Sequence, residues 1–166
     1  HLQLHLAPDD PFFPSQWHLS TSVAAVRAQP AWGRQTGSAS VVIGIMDTGV
    51  DLDHADLADN IWTNTGEIAD NGRDDDNDTY VDDMHGWDFG DDDNDPNPEP
   101  LFDPNSGVDF GWHGTFVAGL AGARGNNGMG VAGVAWGCRI LPLKVTDYNG
   151  DITLSAVASA YDYAIA

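Results

Sequence analysis

One cysteine, Cys138, is too few for an intramolecular disulfide, so whatever order the chain has must come from packing or from bound ions. Cations are scarce as well: six Lys plus Arg stand against 26 Asp plus Glu, a formal charge of -20. That balance excludes the usual electrostatics of nucleic-acid or anionic-membrane binding, and the partners it implies are cations. No apolar run is long enough for a signal-peptide core or a membrane span. The first residue is His1 rather than Met, which reads as a processed or trimmed form. An acidic chain without disulfides is compatible with bacterial secretion, so a secreted or extracellular location is the expectation. There is no internal repeat. What is present, 166 residues of which 42% are apolar, with six Trp, suffices to bury one core, and one domain is expected.

Residues 1–19 are rich in Pro and aromatics (Pro11, Phe12, Phe13, Pro14, Trp17) and read as an extended arm that lies on a surface. Ser20 or Thr21 can cap a short helix through Ala24, Ala25 and Arg27, ended by Pro30 and Gly33. Val41 to Met46 is continuously apolar without alternation, as expected of a central parallel strand covered on both faces, with Asp47 at its carboxyl end. From Asp51 to Phe110 loops dominate. His113 to Ala123 suits a buried helix of small residues, Cys138 to Val145 a second strand, and Ile152 to Ala166 a helix after the Asn149-Gly150 turn. Strand and helix alternate, so the predicted class is α/β with a mainly parallel sheet.

Open parallel sheets carry reactive groups at the carboxyl ends of their strands. Asp47, in Asp47-Thr48-Gly49, occupies such an end, although an aspartate that merely caps a turn fits the same three residues. His113, in His113-Gly114-Thr115-Phe116-Val117-Ala118-Gly119, opens a helix whose small residues permit close backbone approach, and by itself it reads as an ordinary polar helix start. Taken together, the two segments resemble the subtilase family. Its aspartate segment runs from an apolar strand through D-T-G to H-x-D-L, completed here by His54-Ala55-Asp56-Leu57. Its histidine segment is H-G-T-H-V-A-G, matched here except that Phe116 replaces the second His, a departure that touches only local packing or substrate contacts. Gly130-Val131-Ala132-Gly133-Val134-Ala135 and Leu143-Lys144-Val145 extend the likeness, which covers nearly the whole chain from Pro8 onward.

The resemblance implies a subtilisin-like three-layer fold of which residues 1–166 are the N-terminal portion of the catalytic domain. It implies a serine endopeptidase in which His113 is the general base and Asp47 orients it. The family's nucleophile sits in a G-T-S-M-A-type segment far toward the C-terminus. None of Ser15, Ser20, Ser22, Ser38, Ser40, Ser106, Ser155 or Ser159 has that setting, and the family's oxyanion-hole Asn lies beyond Ala166. The isolated chain is therefore expected to be an inefficient peptidase that needs the remaining half of the domain as a partner. Gly150, Asp151 and Ile152 align with the family segment that pairs with an extended peptide or protein substrate, and Asp151 in that position would favour basic residues upstream of the cut.

Calcium is the expected cofactor, since so large a local charge between Asp70 and Asp103 calls for counter-ions. Asp88, Asp91, Asp93, Asp95 and Asn97 show nearly the alternate spacing of a calcium loop, and they resemble a calcium site of heat-stable subtilases in which the segment after Gly-Trp-Asp-Phe, here Gly86-Trp87-Asp88-Phe89, binds metal. Asp74, Asp76, Asp78, the Tyr80 carbonyl and Asp83 repeat the alternation and look like an acidic insertion of some bacterial subtilases, with the choice among Asp74, Asp75 and Asp76 left open. Residues 70–103 are thus read as a calcium-binding insertion. A third site is implied by resemblance alone: Asp10 from the arm, Asp56, the Asn127 side chain, and the carbonyls of Arg124, Met129 and Val131.

Two rivals stand beside the peptidase reading. One is a non-catalytic calcium-binding scaffold, truncated or decayed. The other is a hydrolase with a different nucleophile such as Cys138, against which its place at the start of an apolar strand argues for packing. A half-domain would leave apolar surface and a strand edge uncovered, so self-association is expected.

Overall fold

The computed structural model describes residues 7–166. These residues gather into two compact units, each assembled from three chain segments. The first contains the segment ending at Ile43, Asp53–Asn60 and Ala118–Arg139; the second contains Gly44–Leu52, Ile61–Val117 and Ile140–Ala166.

In the first unit the arm is not simply extended. Residues 1–6 lie outside the described residues, and the rest winds into single 3₁₀ turns at Phe13–Ser15 and Trp17–Leu19. Pro14 favours this, because its fixed φ suits a first helical turn where no N–H is needed. The helix expected from Ser20 to Arg27 is absent. A five-residue helix, α1 (Ala28–Trp32), follows Arg27 in the left-handed region (φ +59), and Pro30 sits inside it rather than ending it. In so short a helix a missing N–H breaks little. The core of this unit is Leu19, Ala28, Trp32, Ala132 and Trp136, with the Trp32 and Trp136 rings 4.3 Å apart. Gln16 fastens the arm by mimicking a backbone pair: its amide donates to the Ala132 carbonyl (2.9 Å) and accepts from the Ala132 N–H (2.8 Å).

Among the described residues the sheet has three strands, β1 (Val42–Asp47), β2 (Trp87–Asp88) and β3 (Arg139–Lys144), in the order β1-β3-β2. β2 and β3 are parallel, with Trp87 opposite Leu143 and Asp88 opposite Lys144. The expectation of a central first strand is corrected: β1 is an edge of this sheet, with Val41 and Val42 exposed, and the central strand is β3, buried from Ile140 to Lys144. Two longer helices complete the α/β pattern, α2 (His113–Gly122) and α3 (Leu154–Ile165). Thr153 caps α3, its hydroxyl accepting from Ala156 N–H at 3.1 Å, so the helix starts two residues later than Ile152. α3 buries Ala156 and Ala160 against Leu141, Leu143 and Val145 of the second unit. Among the described residues no helix is long and apolar enough to cross a membrane.

Candidate active site

Asp47 ends β1 where the chain must turn sharply. Gly49 has φ +104, and a side chain there would stand 2.8 Å from the carbonyl oxygens of Pro96 and Asn97, so only glycine fits. Gly114 is equally constrained: a Cβ would lie 2.3 Å from Gly49 O and 3.0 Å from the Asp47 Cβ. The two segments can thus approach until side chains sixty-six positions apart in sequence meet. The His113 Nδ1 lies 2.7 Å from Asp47 Oδ1 and 2.9 Å from Oδ2. Asp47 Oδ1 also accepts the Thr48 N–H at 2.8 Å, which fixes the carboxylate's rotation. With a proton on Nδ1 donated to Asp47, Nε2 carries a free lone pair, the state a general base requires. The imidazole is more than half exposed while its carboxylate partner is mostly covered, 57% against 16%. Beside the pair a pocket of ≈ 290 Å³ is walled by Met46, Phe110, Val145, Thr146 and Ile152, mostly apolar, with room for a side chain or a peptide segment.

A match to the subtilase family runs over residues 38–166 and so includes both segments that meet here. The chain belongs to the subtilase family. An extracellular basic protease of Dichelobacter nodosus is 38% identical over 89% of this chain. Thermitase of Thermoactinomyces vulgaris is 33% identical over 95% of it. A solved protease structure from Pseudoalteromonas arctica, 29% identical, superposes over 93% of this chain with a TM-score of 0.70, so the fold is subtilisin-like α/β. This subtilase chain spans 24% of the Dichelobacter protein, 43% of thermitase and 43% of the Pseudoalteromonas chain.

The segment expected to pair with substrate forms a tight loop. Asp147 N–H donates to the Asp151 carbonyl (3.0 Å), and Asp147 Oδ1 accepts from Asn149 N–H (2.8 Å) and Asp151 N–H (2.9 Å). These N–H groups, first that of Asp151, hold the Asp147 carboxyl below its ordinary range. Gly150 supplies the positive φ of the turn (+84), and Ile152 reaches the pocket wall. Both backbone groups of Asp151 are therefore committed to Asp147, and its carboxylate is exposed.

The acidic residues fall into three groups that differ in how their charge is met. In the first unit Asp10 and Asp56 are buried, 2% and 3% exposed. Asp10 accepts from Asn126 N–H (2.9 Å) and Asn127 N–H (3.4 Å); Asp56 accepts from the Asn127 amide (2.8 Å) and Val131 N–H (2.7 Å). Asn127 Oδ1 accepts from Met129 N–H, and Arg124 N–H reaches the Asp56 carbonyl while its guanidinium goes to Asn60. Among the described residues neither carboxylate has an ionic partner. Two buried carboxylates without a counter-charge, Asp10 and Asp56, fit a hard divalent cation by charge and by oxygen donor type.

In the second unit Glu67, Asp74 and Asp76 bring carboxylate oxygens within 4.8 Å of one another. That set also fits a hard cation. Glu67 was not foreseen; it is buried and accepts from the N–H groups of Asp75 (2.7 Å), Asp76 (3.2 Å) and Asp82 (3.0 Å), lying outside the alternating spacing that drew attention to the loop. Asp78 is close by, its carboxyl raised by burial against the Tyr80 N–H. Asp83, expected in this set, has its oxygens assigned otherwise: one accepts from Asn64 at 2.9 Å and the other from the Tyr163 hydroxyl. It is fully buried, which pushes its carboxyl up to about 6.

The third group departs from the expectation of a metal site. Lys144 Nζ lies 2.6 Å from Asp88, 3.2 Å from Glu99 and 3.9 Å from Asp91, so the cation here belongs to the chain. Asp93 and Asp95 accept from the N–H groups of Asp95 and Asn97, and the Asn97 amide oxygen accepts from Leu52 N–H at 3.0 Å. These are turn-closing bonds, and they put Asn97 in the support of the Asp47 turn. A lone lysine in the apolar run from Ile140 to Val145 was the signal that could have revealed the pairing.

Proposed function

We propose that this chain supplies the general-base half of a subtilisin-like serine endopeptidase. The observation that carries the reading is the His113 Nδ1 contact to both carboxylate oxygens of Asp47, beside a pocket able to take part of a peptide. In this reading His113 Nε2 removes the proton from a serine hydroxyl as its oxygen attacks the peptide carbonyl. The same nitrogen returns that proton to the departing amine. Asp47 keeps the Nδ1 proton, fixes the tautomer and stabilises the imidazolium.

The serine and the oxyanion donors come from residues outside 1–166. Supporting this, the serine hydroxyls with a partner pair elsewhere: Ser38 with Ser40, Ser106 with Asp103, Ser155 with Thr153. Substrate pairing falls to the Gly150 carbonyl and the Ile152 backbone, because the Asp151 backbone is occupied; the Asp151 carboxylate favours basic residues upstream of the cut. Calcium binds at Asp10, Asp56 and Asn127 with carbonyls of Arg124, Met129 and Val131, and at Glu67, Asp74 and Asp76 with Asp78 and the Tyr80 carbonyl. Bound there, it neutralises clustered carboxylates, of which Asp10, Asp56 and Glu67 are buried, and so stabilises the fold. The names of relatives such as the Dichelobacter protease agree with an extracellular setting. Exposed apolar side chains of the second unit, among them Trp112, Phe116 and Leu154, support association with the serine-bearing remainder or with a second copy.

The test is acylation by an active-site serine probe. The purified chain alone is expected to show no burst, and the chain mixed with a serine-bearing C-terminal portion of a subtilase is expected to show one together with peptide cleavage. A burst from the chain alone would overturn the division of roles.

A further inference from the structure

Two threonines tie the Asp47 turn to the start of α2, and each reaches from one segment into the other. Thr48, buried beside Asp47, donates its hydroxyl proton to the Gly111 carbonyl at 2.6 Å and accepts from the Gly114 N–H at 3.0 Å. Those two backbone groups bracket His113, two residues before it and one after. In return, Thr115 of α2 accepts the Asp51 N–H at 3.0 Å. The segment has no slack on its other side, since a Cβ on Gly111 would stand 1.8 Å from the Glu99 carbonyl.

We propose that Thr48 and Thr115 are positioning residues, a reciprocal clamp that sets the separation of Asp47 and His113 and holds the imidazole in the Nδ1-protonated state before any substrate or nucleophile arrives. A single hydroxyl serving as both donor and acceptor fixes two backbone groups at once, which valine, of the same shape, cannot do. Thr48→Val leaves a buried carbonyl and a buried N–H without partners, whereas Thr48→Ser keeps both bonds. The inference rests on reading Asp47 and His113 as the proton-transfer pair, and its test is independent of proteolysis.

The measurement is nitrogen NMR of the imidazole of His113 in the ¹⁵N-labelled chain, read as tautomer and as the exchange rate of the Nδ1 proton. The unaltered chain is expected to show a slowly exchanging Nδ1 proton. Thr48→Val is expected to raise its exchange about tenfold or more, and Thr115→Val by a smaller factor, as the loss of one or two buried hydrogen bonds implies. Thr48→Ser is expected to restore the original rate. Leu141→Ala, a core change in β3, lowers stability and is expected to leave the His113 signal as it was. Unchanged tautomer and exchange in Thr48→Val would overturn the proposal, and if that variant does not fold, an unchanged rate in Thr115→Val would do so. Loss of the signal in Leu141→Ala as well would also overturn it, by reducing the effect to general stability. Failure of the reconstituted peptidase would leave these readings where they are, so the two ideas fail separately.

Discussion

The ammonium of Lys144 lies 2.6 Å from the carboxylate of Asp88, with both side chains only 2% exposed. Burial raises the Asp88 carboxyl despite the bonds it accepts. Burial alone would lower the Lys144 ammonium, but the hydrogen bonds and charges of Asp88 and Glu99 outweigh it and hold it above the ordinary lysine range. A chain of net charge -20 thus places one of its few cations among its own acidic side chains.

Removing one member of a buried pair leaves the other uncompensated, so Lys144→Met is expected to lower unfolding free energy by about 3–5 kcal/mol in urea titrations. The double change Lys144→Met with Asp88→Leu is expected to lose less than Lys144→Met alone. A single variant within about 1 kcal/mol of the original chain would show that Lys144 is dispensable to this region.

Chelation tests the proposal that calcium binds the other acidic groups. At free calcium about a hundredfold above its dissociation constant, bound ion stabilises by about 2.7 kcal/mol, or roughly 5–10 °C in melting temperature for a chain of this size. Excess EDTA is expected to remove that increment at each occupied site, and Asp56→Asn to remove the part contributed by the site it shares with Asp10, with calcium still present. Identical melting curves with and without chelator would exclude calcium as a stabilising ligand.

Glu67 and Asp83 separate ligand from packing. Glu67→Gln is expected to weaken calcium binding at the acidic loop at least tenfold in titration calorimetry. Asp83→Asn is expected to leave that affinity in place while loosening the contact with Tyr163. The reverse pattern would return Asp83 to the ligand set and remove Glu67 from it.

The sequence made some of this legible and hid the rest for physical reasons. Asp47 and His113 were readable because each lies in a short motif whose glycines are required by close approach, at Gly49 and Gly114. α3 was readable from its period and its turn. The cover over β1 was not, since an apolar run such as Val41–Met46 records what a strand can be buried against and not whether the described residues bury it. Alternating aspartates pointed to calcium loops, but spacing is blind to what arrives from afar. Lys144, Tyr163 and Asn64 take up Asp88 and Asp83 from distant positions, and Glu67 enters its cluster from outside the repeat.

Asp47 carries a prediction of its own. In a mixture of this chain with a serine-bearing C-terminal portion of a subtilase, Asp47→Asn is expected to lower kcat by about 10⁴-fold, as in Ser-His-Asp enzymes whose imidazole is left in the wrong tautomer. Steady-state kinetics on a peptide substrate would show it, and a loss of less than about tenfold would mean that Asp47 does not orient the base.

The most direct measurement is covalent labelling by a fluorophosphonate of the serine in a mixture of this chain with a serine-bearing C-terminal portion of a subtilase, compared between the original chain and His113→Ala. Rapid labelling with the original chain and almost none with the variant is the predicted result. Equal labelling with both would contradict the assignment of His113 as the base and, with it, the peptidase reading of this site.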